Sequence, residues 1–251
     1  MLEYKWSSLR STAFPAVGSH DHIAIVPIGS TEQHGPHLPV MVDALLVTEV
    51  ANRAAEILKG ESPVFVLPTL WVSLAEHHMV FPGTLTLDMD TFTSVLRCLV
   101  RSLKRQGFRR ILLLNGHGGN MSALTLIVDR LSAELELPLA TATYWNLAAP
   151  EFGALLEKQT NLLHACEAET SMMMVLRPEL VDEEAALLVD NGKAHFGDPS
   201  SGYKFRNMAE ISSSGVVGFP SLANRTKGEA LLHAAASALA RNVKSNHWWR
   251  T

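Results

Sequence analysis

Three apolar runs, each followed by a segment of helical periodicity, constrain this chain more than any other feature. "HIAIVPIG" (22–29) precedes "DALLVTEVANRAAEILKG", "PVFVLPTL" (63–70) precedes "DMDTFTSVLRCLVRSLKRQGF" (88–108), and "RILLLNGHGGN" (110–120) precedes "MSALTLIVDRLSAELE". Runs apolar at consecutive positions suit strands buried on both faces. A helix between successive strands makes them parallel, with helices on both faces of the sheet. "LPLATATYW" adds a fourth strand, "EAETSMMMVLR" (167–177) a helix stopping before Pro178, and "TKGEALLHAAASALARNVKSNHWW" a closing helix. In the first helix Leu46, Val47, Val50, Ala54, Ile57 and Leu58 fall at helical spacing, with Asp43 as N-cap and Gly60 just past the end. Residues 190–215 are polar and Gly/Ser-rich and read as a long loop. No linker or repeat divides the chain, so one α/β domain over 1–251 is expected.

Composition narrows the function. With 251 residues, 47% of them hydrophobic, the chain can bury a substantial core. A net charge of −4 without a Lys/Arg cluster gives no electrostatic footprint for nucleic acid or an anionic membrane. No run of apolar residues is long enough to span a bilayer. Two cysteines, Cys98 and Cys166, make no disulfide framework, and "MLEYKWSSLRSTAF" lacks a secretory h-region. A cytoplasmic enzyme or binding protein is the expectation.

In parallel α/β sheets, ligands bind beyond the carboxyl ends of the strands. The polar clusters of this chain fall there: "GSTEQHGPH" after the first strand, "AEHHM" after the second, "NGHGGN" after the third. If residues 32–34 are extended, Glu32 and His34 share a face. Asp43 returns to the same edge at the start of the helix, and His117 stands in a Gly-rich turn. Two carboxylates and two imidazoles suit zinc, or manganese at an oxygen-rich site, and carboxylates can bridge two ions. Plainer roles compete: Asp43 as a helix cap, His37 as a structural hydrogen-bonder, His77–His78 as a surface pair, Cys166 as a buried apolar residue rather than a nucleophile. "SMMMV" reads as core, and "NGHGGN" lacks the Lys of a P-loop.

The segments "PIGSTEQHGPHLPVMVD", "HMVFPGTLTL", "NGHGGN", "HACEAETSMM" and "GVVGFPSLANRTKGE", in this order, resemble the creatininase family of metal-dependent amidohydrolases over roughly residues 22–235. The resemblance implies a three-layer α/β/α fold, two divalent ions (zinc, or zinc with manganese), hydrolysis of cyclic amides or formamides, and a homo-hexamer. Carried over by position, Glu32, His34, Asp43 and His117 are metal ligands, with Asp43 bridging. Where creatininase itself has Tyr and a ligand Glu after the ligand His, this chain has Gly118 and Gly119, so creatinine is not the expected substrate. "HACEAET" offers two carboxylates for the fifth ligand: branches with the Gly-Gly turn show a Glu at position 167, which favours Glu167, while Glu169 matches the common ETS element and is as plausibly structural. His164 matches a family histidine proposed to move protons. His78, Gly118 and Gly119 are the expected substrate contacts, and Trp248 and Trp249 are expected at a subunit contact. The same ligands would also serve a lactonase, a phosphoesterase or a metal-binding protein without turnover.

Overall fold

The structure, a computed structural model, describes residues 4–14, 21–61, 63–196 and 202–249. Among these residues four strands form the sheet: β1 Ile23–Ile28, β2 Val64–Val66, β3 Arg110–Asn115 and β4 Leu139–Thr143. They lie in the order β2-β1-β3-β4, all parallel. β1 and β3 are in register along their whole length, from Ile23 opposite Arg110 to Ile28 opposite Asn115. That register brings the turn after each strand to one edge.

Nine helices complete the frame: α1 Val42–Ile57, α2 Met89–Arg105, α3 Met121–Leu135, α4 Tyr144–Leu147, α5 Ala149–Leu155, α6 Glu167–Leu176, α7 Glu183–Ala186, α8 Met208–Ile211 and α9 Arg225–Ser245, counted among the described residues. Strand periodicity divides the core into two layers. Ile23, Ile25, Leu112 and Leu114 join α1, α6 and α9 residues such as Leu46, Met172 and Leu239. Ala24, Val26, Ile28, Ile111 and Leu113 face the opposite way, onto Phe92, Leu96 and Val100 of α2 and Leu124, Ile127 and Leu131 of α3. This is the three-layer α/β/α arrangement that the alternation predicts.

Four expectations shift. β2 is only three residues, because Pro68 has no N–H to give; pairing resumes beyond it where Leu70 donates to the Pro27 carbonyl. β4 ends at Thr143, and Tyr144 and Trp145 open α4 instead. The 190–215 segment is not all loop: Asn207 and Glu210 form a reciprocal capping box at the start of α8. Within that segment, 197–201 lie outside the described residues. The closing helix stops at Ser245, where Asn246 turns left-handed at φ 59°. Trp248 and Trp249 lie beyond it, partly buried against the α1/α6/α9 core layer.

Asp43 differs from its expectation in a way that matters. It is the second residue of α1, not its cap; the cap position is Met41, whose side chain makes no capping bond. Two glycines set the helix down there. A Cβ on Gly29, just after β1, would lie 2.5 Å from the Ala44 Cα, and one on Gly116, just after β3, 2.6 Å from the Val47 Cβ. Without side chains at these positions, the first turn of α1 rests directly on the ends of both central strands, and the Asp43 carboxylate is delivered to the sheet edge.

Candidate metal centre

Glu32, His34, Asp43 and His117 converge at that edge, and all four are buried. Asp43 sits between two imidazoles: its Oδ1 is 3.2 Å from His34 Nε2 and its Oδ2 is 2.9 Å from His117 Nδ1. Glu32 Oε2 is 3.0 Å from the same His117 nitrogen. The fifth member is Glu169, whose Oε1 lies 3.8 Å from His34 Nε2. The donor atoms group into three sets close enough to share an ion: Glu32–Asp43–His117, His34–Asp43–Glu169 and Glu32–His34–His164.

Glu167 is not among them. It is fully buried on α6, ion-paired with Lys227 Nζ and accepting from the Glu157 backbone N–H at 3.3 Å. Lys227 comes from the first turn of α9 and also holds Glu157 at 3.0 Å and the Leu222 carbonyl at 2.8 Å. The structure therefore places Glu169 in the cluster where Glu167 was expected. Two residues along a helix is a rotation of roughly 200°, so only one of the pair can face the strand edge. Ala165, left-handed at φ 51°, turns the chain ahead of α6, and its N–H donates to Glu169 Oε2 at 2.5 Å.

Hydrogen bonds fix how the imidazoles point. His117 Nε2 faces the Leu74 carbonyl at 3.0 Å, and His34 Nδ1 faces the Glu32 carbonyl at 3.1 Å. With those nitrogens donating, the other nitrogen of each ring offers a lone pair to the carboxylates, the tautomer arrangement that outer partners impose on metal ligands. Both Glu32 carboxylate oxygens and His34 Nε2 have no aligned hydrogen-bond partner although buried; the nearby imidazole nitrogens are close but not directed to donate. Buried donor atoms held this close need positive charge among them, a proton or a metal ion. Three carboxylates and two imidazoles thus fit divalent metal on donor chemistry and on unsatisfied atoms.

Without metal, protons fill this role. Burial, the largest influence, pulls His117 down, but Glu32 and Asp43 together outweigh it and raise it to about 10. His34 is likewise raised, Asp43 and Glu169 overcoming burial. Asp43 is held well below the carboxylate range, burial being outweighed by the two imidazoles, whereas burial raises Glu169. Burial also pushes the Cys166 thiol up to about 11, which leaves no activated thiolate.

A shell of further imidazoles covers the cluster. His164 is buried with Nδ1 3.7 Å from Glu32 Oε1, and His78 Nε2 is 3.3 Å from the same oxygen. Burial, then the charge on His34, holds His164 below its ordinary pKa; burial and His164 do the same to His78. Gln33, unnoticed in the sequence despite sitting between Glu32 and His34, ties them together: its Nε2 lies 3.0 Å from His78 Nδ1 and 3.0 Å from His164 Nε2, and its carbonyl 2.9 Å from His164 Nε2. His37 stands apart, bonded to Thr170 Oγ1 at 2.9 Å. The cluster opens into a cavity of about 660 Å³ whose wall includes His78, His164, Gly118 and Gly119. A Cβ on Gly118 would meet nothing within 4 Å, so the turn leaves that side open. His77 also lines the cavity, as do Phe196 and Tyr203 to Arg206, which fall in the 190–215 segment outside any helix or strand.

Fold and site together define an α/β/α protein carrying the donor set of a divalent-metal centre at the carboxyl edge of its sheet. The chain belongs to the creatininase family, whose profile, described as creatinine amidohydrolase, matches residues 7–243. It is 28% identical over 246 residues to the creatinine amidohydrolase of Pseudomonas putida, covering 91% of each chain. It is 30% identical over 225 residues to a mycofactocin precursor peptide peptidase of Mycobacterium tuberculosis, covering 87% of this chain and 83% of that one. A crystal structure of creatinine amidohydrolase superposes with a TM-score of 0.84 at 28% identity, covering 99% of both chains. Similar structures include a manganese creatininase (TM-score 0.84, 27% identity, 97% and 98% covered) and a Zn–Zn form of a creatininase variant (0.77, 28%, 90% and 91%). Among the described residues no helix is long and apolar enough to cross a membrane.

Proposed function

We propose that this chain is a metal-dependent amidohydrolase that cleaves the C–N bond of a cyclic amide or formamide at a two-ion centre. One observation carries the reading: Asp43 presents one carboxylate oxygen to His34 and the other to His117, so it belongs to two donor sets at once. Glu32, Asp43 and His117 would hold one ion, and His34, Asp43 and Glu169 the other, with zinc or manganese as the occupants. Ions there would supply Lewis-acid polarisation of the amide carbonyl and acidify a water.

The remaining steps belong to the chain. His164 presents Nδ1 toward Glu32 while Nε2 faces the Gln33 carbonyl. Kept neutral by burial, it accepts the proton of the attacking water and returns it to the leaving nitrogen. His78 and the Gly118–Gly119 turn line the same cavity and would contact the substrate. A Cβ at Gly118 would meet nothing within 4 Å, so the turn leaves room for a substrate group on that side. The test is turnover of a panel of formamides, small lactams, lactones and phosphoesters by metal-free and metal-loaded protein. Metal-dependent release of amine supports the assignment; metal-dependent turnover of lactones or phosphoesters alone overturns it.

A further inference from the structure

Gln33 is buried, with its side-chain amide between the imidazoles of His78 and His164. Backbone partners fix which way that amide points. The Gly35 N–H can only donate, and it meets Gln33 Oε1 at 2.8 Å; the Gly215 carbonyl can only accept, and it lies 3.2 Å from Gln33 Nε2. Gly215 has φ 76°, and a Cβ there would run into Gln33 Oε1, so the loop after α8 closes on the amide through backbone alone. An amide nitrogen only donates. His78 Nδ1, 3.0 Å from Gln33 Nε2, is therefore an acceptor, and neutral His78 carries its proton on Nε2. The backbone carbonyl of the same glutamine works in the opposite sense. It lies 2.9 Å from His164 Nε2 and can only accept, so His164 carries a proton there and keeps a lone pair on Nδ1. His164 Nε2 is also 3.0 Å from Gln33 Nε2, but a nitrogen that donates to the carbonyl has no lone pair left for the amide. The two amide protons then go to Gly215 and His78, and each donor of this set has one acceptor. The atoms left facing the floor are complementary: the His164 Nδ1 lone pair is 3.7 Å from Glu32 Oε1, and the His78 Nε2–H is 3.3 Å from the same oxygen. Both rings line the cavity.

We propose that Gln33 is a positioning residue that holds His78 and His164 in opposite tautomers, so that His78 gives the substrate carbonyl oxygen a hydrogen bond from Nε2–H while His164 takes the proton of the attacking water on Nδ1. The proposal rests on the amidohydrolase reading for the reacting carbonyl, and on the hydrogen bonds around Gln33 alone for the tautomers. His78 transfers no proton. Its N–H bond to the oxygen strengthens as negative charge develops there, a role that a neutral imidazole can fill. The Gln33 side chain governs His78 and its backbone carbonyl governs His164. Substituting the side chain therefore perturbs the first ring and spares the second.

Neutron diffraction from deuterium-exchanged crystals of the zinc-loaded protein reads the tautomers without any substrate. Deuterium should appear on His78 Nε2 and His164 Nε2 and on neither Nδ1, with the Gln33 amide directed at Gly215 and His78. Deuterium on His78 Nδ1, or a bare His164 Nε2, overturns the proposal. Turnover of formanilide and δ-valerolactam by zinc-loaded variants tests the consequence. His78→Leu should lower kcat by about 10²-fold, the usual cost of one donor to a developing oxyanion, and Gln33→Met by about tenfold or more, both with zinc content unchanged. Added to His78→Leu, Gln33→Met should cost about twofold or less, because the ring it positions is already gone. Equal losses on both backgrounds would make Gln33 a structural residue only, and no loss in Gln33→Met would remove it from the reaction; either result overturns the proposal. If neither probe turns over in the parent, the amidohydrolase reading fails separately, and the neutron map still decides the tautomers.

Discussion

Glu167 and Glu169 lie two residues apart on α6, and substitutions at Lys227 and at both glutamates separate a structural carboxylate from a metal-binding one. Glu167 is completely buried, and its charge is answered by Lys227, itself 9% exposed. Lys227→Met removes the ammonium and strands a buried carboxylate, a loss of roughly 3–5 kcal/mol. At about 2–4 °C per kcal/mol for a domain of this size, the melting temperature should drop by on the order of 10 °C. Glu167→Gln keeps the shape and leaves Lys227 with Glu157 and the Leu222 carbonyl, so it should cost less, about 1–3 kcal/mol. Neither change should alter metal content in protein that remains folded. Glu169→Gln should do the opposite, lowering metal occupancy while the metal-free protein melts nearly where the parent does. The assay is thermal unfolding of metal-free protein alongside metal analysis of loaded protein. Loss of an ion from Glu167→Gln at unchanged melting temperature, with full occupancy in Glu169→Gln, would refute this account of α6.

Other outcomes follow from the same geometry. His164→Ala should keep near-full metal content yet lose about two to four orders of magnitude in turnover, the usual contribution of a positioned acid or base; loss of an ion would make His164 a ligand, and an unchanged rate would move the proton transfer elsewhere, to His78 first. Melting temperature against pH should differ with and without metal. Burial, then the charge on His34, lowers His37 to about 4, and burial, then His117, does the same to His77. Their folded pKa lies below the unfolded value near 6.5, so unfolding takes up protons and stability falls as pH drops from about 6.5 to 4. His117 is raised to about 10, so in metal-free protein its contribution is full below pH 6.5 and is lost as pH rises through about 10. Bound zinc should flatten that alkaline limb; an identical profile in both forms would mean the imidazoles do not exchange protons for metal. Light scattering should find a homo-oligomer, a hexamer on the family resemblance, and a monomer would contradict it.

The parts of this protein legible in its sequence are those set by local periodicity. Consecutive apolar residues in "IAIVPI" and "RILLLN" announce strands buried on both faces, and the structure divides their odd and even positions between two helical layers. The cluster after each strand was legible for the same reason, since strand ends point to one edge. What was hidden depends on rotation or on distant partners. Asp43 resembles a cap in sequence, and only the bare backbones of Gly29 and Gly116 show why the cap lies two residues earlier, at Met41. Which of Glu167 and Glu169 faces the cluster depends on Lys227, 60 residues from Glu167. Gln33 reaches His164 across 131 residues, and no local pattern signals that contact.

The most direct measurement is anomalous diffraction at the zinc edge from crystals of metal-loaded protein. The account predicts two peaks about 3.5–4 Å apart on either side of the Asp43 carboxylate, one within Glu32, Asp43 and His117 and one within His34, Asp43 and Glu169. A single peak, or a peak coordinated by Glu167, would contradict it.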